Sequence, residues 1–104
     1  MIRASLTHHG EAVELRVSGH AGTAEPGQDL LCAAVSALCE TLERGLARYD
    51  AGSERTLAEG LFRYRGRPGA EARALVWTFG RGLRELAAEH PRHLRWTEST
   101  AKEA

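Results

Sequence analysis

Two side chains in this sequence have the type and spacing for nucleophilic chemistry, His20 and Cys32, twelve positions apart. The thiolate is the reactive form of cysteine, and a free thiol with a pKa near 8.5 needs help to ionise at neutral pH. An imidazole within reach can take the thiol proton and later return it to a leaving amine. With Asp29 as N-cap, Cys32 falls at the third position of a helix. Unpaired N–H groups and about half a positive charge favour an anion there, and the same groups can steady an oxyanion. The Asp29 carboxylate opposes thiol ionisation unless the backbone or His20 engages it. Between the pair run Ala21, Gly22, Thr23, Ala24, Glu25, Pro26, Gly27 and Gln28. Small residues, two glycines and a proline make this a mobile loop able to fold the two side chains together.

The same residues admit plainer readings. A buried structural cysteine and a strand-end histidine would look alike at this level. Cys39, seven positions after Cys32, reads as a small core or flank residue. On one helix the two sulfurs' Cα atoms would stand about 10.5 Å apart, beyond the roughly 7 Å limit for a disulfide. They are therefore thiols or intermolecular partners, which suits a reducing compartment. A zinc site from His20, Cys32 and Cys39 lacks a fourth ligand and the short Cys-x-x-Cys spacing. No metal or cofactor is expected.

The elements that must position the pair follow from hydrophobic periodicity. Ile2, Ala4 and Leu6 alternate with polar residues, as do Val13, Leu15 and Val17. That is a hairpin with one buried face, with His20 closing its second strand. From Asp29 the period lengthens. Leu31, Val35, Leu38, Leu42, Leu46 and Tyr49 form an amphipathic stripe that Asp50-Ala51-Gly52 stops. Leu57 to Arg65 reads as a strand with Gly60 marking a bulge. Ala72, Leu75, Val76, Phe79, Leu83, Leu86 and Ala87 make a second helical stripe ended by Pro91. Gly80 and Gly82 weaken it by roughly 1 kcal/mol each, tolerable where a close packing partner requires them. Leu94 and Trp96 form a short last strand. The expected fold is α/β (α+β): a two-layer sandwich in the order β-β-α-β-α-β, with two helices on one face of a mostly antiparallel sheet. Residues 1–97 form the single domain and residues 98–104 a frayed tail.

Composition narrows the class. The chain has 104 residues and 14 basic against 14 acidic groups, so a nucleic-acid partner, which needs phosphates neutralised, is not expected. Seven acids against four arginines in residues 1–52 give way to ten bases against seven acids in residues 53–104, too mild a split for a charged tail. The run from Leu30 to Cys39 is about half the ~20 residues a bilayer demands, and the N-terminus has no signal-peptide pattern. A cytoplasmic protein without membrane contact is expected. Arg63, Arg65 and Arg67 share one side of a strand and its end, either as a solvated face or as a basic edge toward a partner. Trp77 lies off the second stripe, at a subunit contact or the core's rim. His8 and His9 flank a turn, and His90 and His93 shape a helix end.

One stretch carries more than spacing. Gly19-His20-Ala21, five residues, then Gly27-x-Asp29-Leu30-Leu31-Cys32-Ala33-Ala34-Val35-Ser36 resembles the signature of the ribosomal-processing cysteine protease family, Prp. The likeness extends over about residues 2–97, with a late Gly82-Leu83, Leu86-Ala87 helix running into His90-Pro91. Leu30-Leu31 stands where a β-branched pair is commoner. The resemblance implies a small homodimeric bacterial cysteine endopeptidase. It would remove the N-terminal extension of large-subunit ribosomal protein twenty-seven, which otherwise obstructs the ribosome. By the same resemblance Cys32 is the nucleophile and His20 the general base. Asp29 supports the pair or caps the helix, and Ser36 fills the position one turn beyond the cysteine. The loop from Ala21 to Gln28, hinged at Gly22 and Gly27, opens for the peptide and closes over it. The alternatives are a ribosome-associated binding or assembly factor without turnover, and a redox-sensing thiol protein using Cys32.

Overall fold

In a computed structural model the described residues are 1–19 and 28–101, with the side chains of residues 28 and 29 set aside. The elements run β1 (Ile2–His9), β2 (Ala12–Ser18), α1 (Gln28–Tyr49), β3 (Glu54–Ala58), β4 (Leu61–Gly66), α2 (Ala70–Glu89) and β5 (Leu94–Thr100). One five-stranded sheet takes the order β3-β4-β2-β1-β5. Its pairs are antiparallel except β1 with β5, which is parallel. The expected class holds: two helices on one face of a mostly antiparallel sheet.

Three details refine that expectation. The segment between the helices is a hairpin. β3 and β4 pair from Glu54↔Arg65 to Ala58↔Leu61, leaving Glu59 and Gly60 as a two-residue turn. Gly60, at φ +72, serves that turn and not a bulge, because a tight hairpin loop needs left-handed residues. Helix α1 begins at Gln28, two residues before the Leu30 start that an Asp29 cap implies. Gln28 thus belongs to the helix and not to the expected loop, and Asp29 lies inside the first turn. The last strand is longer than expected. Glu98, Ser99 and Thr100 pair with Leu6, Thr7 and His8, so the tail expected from residue 98 is ladder through Thr100. Residues 102–104 lie outside the described set.

The core forms where the alternating strand positions meet the two helical stripes. Leu15, Leu42, Leu46, Phe62, Tyr64, Leu83 and Leu94 are its largest fully buried side chains. Cys39 joins it, as expected, while Leu38 is only partly buried and Tyr49 is exposed. The helical glycines have packing partners. A Cβ on Gly80 would stand 3.4 Å from Trp96 of the sheet, and one on Gly82 3.5 Å from Leu38 of α1. A Cβ on Gly45 would approach Leu75 to 2.7 Å, so that position sets how closely α1 and α2 approach. His90 closes α2, its N–H donating to the Leu86 carbonyl at 2.9 Å.

Candidate active site

Cys32 lies in the second turn of α1, half-buried, on the flank that faces the β3–β4 hairpin. Because α1 starts at Gln28, the backbone N–H of Cys32 is already within the helical ladder, and the unpaired N–H groups belong to the turn before it. The expected placement of the thiol at the third helical position is therefore corrected. The dipole acts on the sulfur from one turn away, where its influence is already falling.

The thiol opens onto a groove of about 510 Å³ between α1 and the hairpin. Cys32, Ser36 and Glu40 follow one another at steps of four along the α1 wall, with Val35 and Cys39 beside them. One side chain above the next is what a helix gives at that spacing. The opposite wall is the hairpin end, Leu57 to Phe62. Gly19, where β2 ends, completes the rim and donates its N–H to the Gly60 carbonyl at 3.0 Å. Gly19 sits at φ +100, and a Cβ there would run into the carbonyl oxygen of Met1. Only glycine lets the chain leave β2 in this direction, toward position 20.

The two cysteines are chemically unlike. Burial, with the Glu40 carboxylate nearby, pushes the Cys39 thiol up to about 11, so it remains protonated at neutral pH. Both cysteines border the groove, but Cys32 is half-buried and Cys39 buried, so Cys32 is the more accessible thiol. Ser36 is exposed on the groove wall. His20 and the loop residues 21–27 lie outside the described residues, as do the side chains of Gln28 and Asp29. The zinc set of His20, Cys32 and Cys39 depends on His20 and falls outside them too. Among the described residues no three His, Cys, Asp or Glu side chains converge as metal ligands, and no helix is long and apolar enough to cross a membrane.

Sequence reasoning missed the hairpin wall, because it read Leu57 to Arg65 as one strand. Glu40 was legible in principle, at eight residues from Cys32 on the same helical side. Other residues fall more simply. Arg63 pairs with Glu14 at 2.6 Å and Arg67 with Glu11 at 3.9 Å. His8 meets Glu98 at 3.0 Å. Trp77 is 61% exposed, with the Arg81 guanidinium 5.1 Å from its ring centroid.

Comparison with known proteins gives one family and several solved structures of one fold. The family described as cysteine protease Prp matches residues 1–95. No curated protein sequence matches. The crystal structure of SMU.848 from Streptococcus mutans is similar, with a TM-score of 0.76, 23% identity, and coverage of 97% of this chain and 96% of that one. The ribosomal processing protease Prp from S. aureus, in complex with a covalently linked product peptide, superposes with a TM-score of 0.79. It is 23% identical, over 94% of this chain and 99% of that one. The same S. aureus protease with a substrate peptide gives 0.73 at 21% identity, over 94% and 99%. At these identities the structures establish the fold.

Proposed function

Because the chain belongs to the cysteine protease Prp family, we propose that it removes the N-terminal extension of ribosomal protein twenty-seven, with Cys32 as nucleophile and His20 as general base. The observation that carries this reading is the reachable Cys32 thiol on the wall of an open groove, just where β2 delivers the chain to position 20. In the first step His20 accepts the thiol proton, and the thiolate attacks the scissile carbonyl. The carbon–nitrogen bond then breaks, the imidazolium protonates the leaving amine, and a thioester remains. In the second step His20 deprotonates a water, whose attack breaks the carbon–sulfur bond and releases the carboxylate product.

The groove's length supports an extended peptide. From Cys32 to Glu40 the helix rises about 12 Å at 1.5 Å per residue, room for roughly three to four extended residues. Asp29 assists His20 or the helix end, Ser36 borders the peptide path, and the flap over it is the segment between β2 and α1, residues 21–27. The protease works without a cofactor, in the cytoplasm, as a homodimer. The exposed Trp77 with Arg81 on α2 supports that assembly, since such a side chain is an ordinary anchor of a subunit contact.

Two measurements test the pair. Cys32→Ala is expected to abolish cleavage of a peptide spanning the N-terminus of the host's ribosomal protein twenty-seven while the thermal unfolding midpoint stays put. Continued cleavage removes Cys32 from the mechanism. At neutral pH iodoacetamide is expected to label Cys32 and spare Cys39, and His20→Ala should slow that labelling. An unchanged rate means that the two groups are not coupled.

A further inference from the structure

The two helices cover one face of the sheet, and no described element covers the other. On it the outward positions of β5, β1, β2 and β4 bring five arginines together, Arg3, Arg16, Arg63, Arg65 and Arg95, against two glutamates, Glu14 and Glu54. Arg63 is neutralised by Glu14, which that contact holds below the usual carboxylate range. Arg65 faces Glu14 and Glu54 across the ladder. Arg3, Arg16 and Arg95 have no carboxylate partner among the described residues. They surround a shallow concavity of about 260 Å³, lined also by Ser5, Ser18 and Thr97.

The register makes this a costly arrangement. Arg3 lies directly opposite Arg95 across β1 and β5, while Arg16 lies opposite Arg63, whose charge Glu14 offsets. Like charges directly opposed in a sheet destabilise it. A chain of zero formal net charge has separated its charges so that one open face is positive.

We infer that this face docks on the phosphate backbone of structured RNA. From β5 to β4 the arginines span three strand spacings, about 14 Å at 4.8 Å each. That is too wide for one anionic group and suited to several phosphates along a chain. Guanidinium groups take phosphate bidentately, and the three hydroxyls can meet phosphate oxygens or ribose 2′-hydroxyls, the groups by which double-stranded RNA is recognised across its shallow groove. An acidic protein partner fits less well. Protein interfaces rely on buried aromatic or apolar anchors, and none of the exposed large apolar side chains lines the concavity. The absence of aromatic residues there also points to duplex backbone and not to stacked single strands. The groove beside Cys32 opens on the helix side of the sheet, so the docked face and the protease site can work at once.

The test uses the full chain and a short fluorescently labelled RNA duplex in an anisotropy titration across a salt series. The wild type is expected to bind with an affinity that falls steeply with salt. The triple variant Arg3→Ala, Arg16→Ala, Arg95→Ala is expected to bind at least about tenfold more weakly at low salt, its logarithmic salt slope reduced by roughly one per arginine removed. The variant should keep its unfolding midpoint, or raise it as like-charge repulsion is relieved, and should cleave a short unstructured peptide at the wild-type rate. Equal RNA binding by wild type and variant overturns the proposal. So does binding of polyglutamate as tight as that of RNA, which would make the face a carboxylate dock.

Discussion

At the scale of single residues, the side chains that hold the molecule together are mostly distinct from those proposed to react. Tyr64 is fully buried, and its hydroxyl donates to Asp50 Oδ2 at 2.6 Å. Gly66 leaves room for that bond, since a Cβ there would sit 2.7 Å from the tyrosine oxygen and 2.8 Å from the carboxylate. Burial first, and the Asp50 carboxylate second, raise the Tyr64 hydroxyl well above its ordinary range. A phenol whose folded pKa exceeds the unfolded value near 10 contributes its full stability below that pH and loses it as pH rises beyond it. Tyr64→Phe is therefore expected to cost about 1 kcal/mol at neutral pH. It should also flatten the alkaline decline in unfolding midpoint above about pH 10; urea melts across that range check both, and an unaltered alkaline slope would place its origin elsewhere. Cys32 and Cys39 show the same division. Both border the groove, but one is half-buried and the other is held protonated by burial.

At the scale of elements, the hairpin and the last strand decide the most. The β3–β4 turn supplies one wall of the groove, and its Gly60 carbonyl anchors the end of β2 beside the site. β5 lies at the sheet's edge, yet its end is stitched in by pairs to Leu6, Thr7 and His8 and by the Ala101 N–H to the His8 carbonyl at 2.8 Å. Ending the chain at Thr97 is expected to cost about 1–3 kcal/mol, a few ladder hydrogen bonds at about 1 kcal/mol each. The unfolding midpoint reads this directly, and an unshifted value would mean that the end of β5 is held only weakly. Arg55 ties β3 back to α1, donating to Glu43 Oε1 at 3.0 Å and to the Asp50 carbonyl at 2.9 Å. The groove's two walls are thus joined by a part-buried ion pair.

At the scale of the whole molecule, the chain presents three distinct surfaces: the groove, the exposed Trp77 side of α2, and the arginine-bearing sheet face. If α2 forms the subunit contact, sedimentation equilibrium is expected to give twice the 11.4 kDa chain mass, and Trp77→Asp should shift the protein toward the monomer. A wild type that sediments as a monomer at all concentrations removes the dimer from the reading. Charge distribution is also a property at this scale. Even totals of acid and base pointed away from nucleic acids, but only the folded sheet gathers five arginines against two glutamates on one face.

Period alone was enough for β1, β2, α1, α2 and the class of fold, because a half-buried strand repeats at two residues and a half-buried helix near 3.6. The Gly19-His20 to Cys32-Ser36 pattern was equally legible, since reactive residue types at fixed spacing survive in one dimension. Three things were not. Leu57 to Arg65 folds back on itself at Gly60, and a turn that depends on one positive φ gives little hydrophobic signal. Residues 98–100 look like a tail until β1 offers a parallel partner ninety-odd positions away. The arginine face exists only through register, which brings Arg3, Arg16 and Arg95 together from three strands. Local sequence sets each strand's inside and outside, but pairing between distant strands sets which outsides become neighbours.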